Sequence, residues 1–146
     1  MKHSGYLDIN KPRDVVVAFF SNPENQKKWQ DGFVKASQLI GKARENGAVL
    51  ELYYKYGNKE MVLTETVTSN LLPDSFEATY HHKHMDNTMK YTFSPLSDYT
   101  TRYVYEFEYT RINWILPKLM ALLFPGIYRK QGEKWMRQFK EAVEKQ

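Results

Sequence analysis

The sequence predicts an α+β domain in which a seven-stranded, curved antiparallel sheet wraps around one long C-terminal helix. Three observations predict it. Between Phe33 and Thr110 apolar and polar residues alternate with the period of a strand. Between Leu116 and Val143 they recur at the three-and-four spacing of a helix. The connections between the alternating runs are short and turn-like, so consecutive strands pair antiparallel.

Taken in order, Leu7 and Ile9 alternate with Tyr6, Asp8 and Asn10, which reads as a short first strand. Pro12 then opens a helix near the position where its fixed φ is welcome, with Asp14 complementing the dipole. Its expected inner face is Val15, Ala18 and Phe19. Asn22-Pro23-Glu24 repeats the cap, proline and acid order and starts a second short helix that runs to about Trp29. Six strands follow at 33–41, 48–57, 60–71, 75–83, 87–94 and 100–110. Tyr56-Gly57-Asn58-Lys59, Pro73-Asp74 and Leu96-Ser97-Asp98 are the turns between them. In the last strand Thr101, Tyr103, Tyr105, Phe107 and Tyr109 share one face; in the strand before it, Asn87, Met89, Tyr91 and Phe93 do.

The C-terminal run carries Leu116, Leu119, Met120, Leu123 and Phe124, then Trp135, Met136, Phe139, Ala142 and Val143, on one stripe. A straight helix of that span would measure roughly 45–50 Å. Pro125-Gly126 predicts a kink or hinge within it. Gly132 is the small residue on the stripe and suggests room at the helix–sheet contact.

Composition narrows the functional classes. A chain of 146 residues with 42% hydrophobic content suits a single domain, residues 1–146, with a substantial core. No apolar run reaches the ~20 residues of a membrane span, and no signal peptide is evident. The absence of cysteine rules out disulfides and thiolate metal sites and fits a cytoplasmic location. The net charge of +4 is spread along the chain, which does not suit a nucleic-acid partner.

Geometry then suggests a cavity. Seven strands at ~4.8 Å spacing make a sheet roughly 30 Å wide, whereas a helix with its side chains is only ~10–12 Å across. The sheet must curl, and a curled sheet around one helix leaves space. With 11 Tyr and 8 Phe, side chains filling that space are the competing expectation. Against it, a buried phenol needs a hydrogen-bond partner, which is easier to supply at the wall of a pocket.

The segments INKPRDVVVAFFSNPENQKKWQ, TETVTSNLLPDSFEATY and KWMRQFKEAV, in this order of elements, resemble bacterial members of the START-like superfamily, also called the helix-grip fold. The superfamily includes birch-pollen-allergen relatives and the polyketide cyclase/dehydrase and lipid-transport families. The resemblance spans essentially the whole chain, and it implies that a small hydrophobic or aromatic molecule is held between the sheet and the long helix. It carries no activity with it, because the shared segments are caps, turns and packing positions.

Strand parity, and for Leu123, Tyr128 and Trp135 the helix stripe, nominate the lining. Leu52, Tyr54, Leu63, Tyr80, Met89 and Tyr91 belong to it, as do Tyr105, Phe107, Leu123, Tyr128 and Trp135. Asn87 shares their side and could orient a carbonyl or hydroxyl of the guest. Glu65 has the parity of Met61, Leu63 and Val67, so it is the candidate acid or base of an alternative, cyclase- or dehydratase-like enzyme; a bulge would instead leave it on the surface. His82 and His84 offer two ligand atoms without an evident third, so neither a metal nor a cofactor is expected. No Ser-His-Asp order or phosphate-binding loop is present. The nearly uncharged segment Trp114–Phe124 reads as a buried helix end gating the pocket; a peripheral membrane contact or a homodimer face are its other readings.

Overall fold

The computed structural model describes residues 2–113, 115 and 126–146. β1 (Lys2–Ile9) is followed by α1 (Arg13–Ser21) and a 3-10 helix (Pro23–Lys28). Then come β2 (Phe33–Ile40), β3 (Val49–Tyr56), β4 (Lys59–Leu71), β5 (Ser75–His82), β6 (Met85–Pro95) and β7 (Thr101–Ile112), and the chain ends in α2 (Ile127–Glu144). The seven strands form one curved antiparallel sheet in the order β1-β7-β6-β5-β4-β3-β2. This is the helix-grip arrangement. β1 and β2 lie at opposite edges, so α1 and the 3-10 helix carry the chain from one edge to the other. Among the described residues, no helix is long and apolar enough to cross a membrane.

The sheet follows from its alternation. Thr101, Tyr103, Tyr105 and Phe107 are buried along β7, and Phe76 and Ala78 along β5. β1 is longer than its sequence pattern, because all eight of its residues pair with β7, from Lys2 opposite Glu108 to Ile9 opposite Thr101. Gly5 permits this. A Cβ there would lie 2.4 Å from the Tyr105 hydroxyl oxygen, so the Tyr105 ring needs a glycine beneath it.

On α2 the stripe buries Met136, Phe139, Ala142 and Val143. Phe139 sits edge-on to Phe19, Phe20 and Trp29 and lies 4.9 Å from the Tyr103 ring, the centre of an aromatic cluster linking both helices to the sheet. The inner face of α1 is Val16, Phe19 and Phe20, one residue on from the expected Val15, Ala18 and Phe19, and Ala18 is exposed. Phe20 decides that rotation, since it packs against Phe76, Tyr91 and Phe93 at once. The second short helix is 3-10, and Asn22 caps it by accepting from the Glu24 amide at 3.1 Å.

The C-terminal helix is described from Ile127, directly after Gly126. The expected continuation through Leu116–Phe124 and the kink at Pro125 lie outside the described residues. A second, smaller apolar cluster, Leu50, Leu52 and Tyr54 of β3, is separate from the main core; Tyr80 and Trp135 touch both.

Candidate functional site

A cavity of about 190 Å³ opens where these two clusters meet, between the sheet and α2. Tyr54 of β3, Met61 and Leu63 of β4 and Tyr80 of β5 form one wall. Asn87, Met89 and Tyr91 of β6 with Phe107 and Tyr109 of β7 form the next. α2 contributes Gln131, Gly132, Trp135 and Met136, and Trp29 and Gln30 close one end. Successive wall residues on a strand are two positions apart, so the pleat itself builds the lining. No described lining residue carries a formal charge. Ligand sites for drug-sized molecules run to about 300–1,000 Å³, whereas an apolar cavity of about 150 Å³ holds benzene. The space suits a guest of about one ring.

Gly132 sets the approach of α2. A Cβ there would lie 2.9 Å from Phe107 Cζ and 3.0 Å from Cε1. The room that the sequence suggested beside this glycine is filled by the Phe107 ring.

Behind one wall lies a buried polar network. Glu65 is 1% exposed and Arg44 7% exposed, and they form an ion pair with Nη1 to Oε1 at 2.8 Å. The Arg44 guanidinium lies over the rings of Phe20 and Phe76 at 5.0 and 5.3 Å and donates through Nη2 to the Phe20 carbonyl at 3.3 Å. Its backbone, at φ 65°, is held by Asn70, whose Nδ2 donates to the Arg44 carbonyl at 2.6 Å. The Tyr80 hydroxyl donates to the other Glu65 oxygen, Oε2, at 2.7 Å. On the far side, the Tyr54 hydroxyl donates to Gln30 Oε1 at 2.6 Å, and Gln26 Nε2 donates to the same oxygen at 3.1 Å.

The electrostatics follow. Burial pulls the Arg44 pKa down, but Glu65 and then Tyr80 outweigh it and hold it above its ordinary value. Burial first, and then the Glu65 charge, push the Tyr80 phenol well above the usual tyrosine range. Burial raises Tyr54 in the same way and takes Tyr91 to about 12. All three phenols keep their protons across the physiological range.

Of the residues nominated by parity, the structure brings Tyr54, Leu63, Tyr80 and Asn87 to the cavity wall, together with Met89, Tyr91, Phe107 and Trp135. Three others sit elsewhere. Leu52 is buried within the β3 cluster, Tyr105 lies over Gly5, and Glu65 sits behind Tyr80. Glu65 does face inward. The β4 bulge falls between Val67 and Ser69, beyond it, and leaves the parity of Met61–Glu65 intact. It is not a solitary acid, however, because Arg44 neutralises it. Leu123 lies outside the described residues, as does the side chain of Tyr128.

Sequence reasoning missed Met61, although it shares parity with Leu63. It also missed Trp29, Gln30 and Arg44, which sit in irregular segments with no period to betray them. A lone inward carboxylate was the signal that could have found Arg44, since a buried charge requires a counter-charge.

The histidines form a different arrangement. His82 Nδ1 accepts from the His84 backbone amide at 3.2 Å, and the two rings lie 5.5 Å apart. His81 pairs with Asp86, which Arg111 also holds through Nε at 2.6 Å. These partners, the Arg111 hydrogen bond foremost, lower the Asp86 pKa to about 2. Among the described residues no three potential ligands cluster as a metal site would require.

No family model matches the sequence, and no curated protein does. Solved structures share the fold. A conserved protein from Geobacillus kaustophilus superposes with a TM-score of 0.80 at 12% identity, covering 99% of this chain and 96% of that one. The ZhuI aromatase/cyclase from Streptomyces sp. R1128 gives 0.79 at 8% identity, over 99% and 93%. A START superfamily protein from Mycobacterium smegmatis gives 0.74 at 12% identity, over 98% and 94%. The likeness is one of fold: this chain has the START-like, polyketide cyclase-like helix-grip architecture.

Proposed function

We propose that this protein binds a small, mostly apolar molecule of about one ring in the cavity between its sheet and α2. The observation that carries the reading is the uncharged, aromatic- and methionine-walled space of about 190 Å³ set between two otherwise packed clusters. The fold shared with a START superfamily protein and an aromatase/cyclase supports the reading of a hydrophobic ligand-binding fold, by analogy alone.

The cavity supplies shape and apolar contact, and Asn87 and Gln131 supply amides that can orient a polar atom. Turnover of the cyclase or dehydratase type would need a proton carrier at the wall. Glu65 is off the wall, and both of its oxygens are engaged. The interaction-module reading rests on Trp114–Phe124, of which only Ile115, 80% exposed, is described.

Native mass spectrometry of gently purified protein tests the proposal. A co-purifying small molecule is expected, and Leu63→Trp, which fills the space, should abolish it at a cost of about 1–3 kcal/mol in stability. An adduct that survives in the folded Leu63→Trp variant would place the guest elsewhere.

A further inference from the structure

We infer that the guest carries a neutral hydrogen-bond acceptor, a carbonyl oxygen foremost, and that the indole N–H of Trp135 donates to it; the inference rests on the binding reading above. Among the described residues, buried side-chain nitrogen or oxygen atoms without a hydrogen-bond partner occur on His3, Gln26, Arg44, Trp135 and Gln138. Of these, Trp135 is the one that lines the cavity. Its Nε1 is closed to solvent, although the residue as a whole is only half-buried. A buried donor left unpaired is costly, and such atoms are paired as a rule.

The surroundings say where the partner must come from. The indole stacks on the Tyr54 ring, 6.1 Å between centroids and 12° between planes. Tyr54 is itself tied to Gln30 through its hydroxyl. One turn before Trp135 on α2, the Phe107 ring fills the space beside Gly132. The indole therefore cannot turn toward another protein acceptor without giving up its stack. The amides of Asn87 and Gln131 and the Tyr91 hydroxyl can donate or accept, so they adapt to either kind of guest. An indole nitrogen only donates, and it sets a requirement.

Met61, Met85, Met89 and Met136 flank the space, and their flexible thioethers give way so that a guest oxygen reaches the nitrogen. A carboxylate would also accept, but no described lining residue offers a cation to offset its lost hydration. A plain hydrocarbon leaves the N–H unpaired. A ketone, aldehyde or ester of about one ring meets both conditions.

Three probes of similar shape test this: acetophenone, its methylene isostere α-methylstyrene, and benzoate. The hydrocarbon is the more readily driven out of water. The readout is therefore the ratio of the acetophenone and α-methylstyrene binding constants, from isothermal titration. Trp135→benzothienylalanine puts sulfur in place of the N–H and keeps the shape of the ring. The ratio is expected to fall about tenfold, the effect of one buried hydrogen bond. An unchanged ratio in a variant that circular dichroism shows to be folded would overturn the inference and leave the binding reading standing. Benzoate binding as tightly as acetophenone would do the same. No heat with any probe would overturn both.

Should the variant not fold, the nitrogen–proton correlation spectrum of the parent protein decides. The Trp135 indole proton, assigned by its contacts to Tyr54, should move downfield with acetophenone and much less with α-methylstyrene. Equal movement with the two probes would count against the inference.

Discussion

Arg44 shows how far a single side chain can lie from what its neighbours in sequence suggest. It occupies a turn between two strands, yet its guanidinium is in the core between two phenylalanine rings. Removing one member of a buried pair strands the other charge, at a cost of about 3–5 kcal/mol, while replacing both with apolar groups is often nearly neutral. Arg44→Met should therefore lower urea-unfolding stability by that amount, and adding Glu65→Met should recover much of it. Equal stability of the single and double variants would show that the pair is not what matters.

His3 gives a pH-dependent case. It is buried against Phe107, and among the described residues neither ring nitrogen has a hydrogen-bond partner. Burial, and then Arg129, lower its pKa below 6.5. The unfolded chain then takes up the proton first, so stability is complete above pH 6.5 and declines as the pH falls from there toward the lowered folded value. A His3→Leu variant should lose less thermal stability than the parent between about pH 7 and 5; parallel melting curves would refute this. Alternation put Glu65 on the inward side but left a bulge as an equal alternative, which the position of the β4 bulge beyond it decides. The environment of Arg44 and the isolation of His3 were not legible, because each depends on groups brought together only by the fold.

At the scale of elements, period was the reliable signal. All six strands of the meander lie within a few residues of their expected bounds; β3 to β7 each bury residues on one face, which a one-residue slip would expose, while the edge strand β2 has no buried residue. Helix faces were harder to place. α1 has apolar residues nearly all round, VVVAFF, so its rotation waits on which large ring finds a socket, and Phe20 does. The contact between α2 and β7 is the most constrained. Because the Phe107 ring already touches Gly132, Gly132→Ala should destabilise despite the better helix propensity of alanine, by about 1–3 kcal/mol from overpacking against a gain of about 1. Chemical denaturation reads it directly, and a more stable alanine variant would mean that the ring yields freely. The two strands that supply most of the wall, β6 and β7, were therefore readable, whereas the size of the space between them and α2 was not. It depends on ring orientations that no periodicity encodes.

For the molecule as a whole, the breadth of the sheet relative to one helix led to the expectation of a hollow; among the described residues a space of about 190 Å³ lies between sheet and α2, and much of the interior beside it is aromatic packing. The edge positions of β1 and β2 explain why the two short helices were needed at all: they bridge the sheet's width. The pairing of β1 with β7 has a kinetic consequence. Lys2 meets Glu108 and Ile9 meets Thr101, so the opening residues have no lateral neighbour until nearly three-quarters of the chain has been made. On a ribosome this segment must wait, and contacts so distant along the chain form late because the intervening loop must close first. Pulse-labelled deuterium uptake during refolding should find the amides of β1 among the last to gain protection, after the β3–β4 and β5–β6 hairpins. Early protection of β1 would show that this strand meets β7 sooner than the connectivity between them suggests.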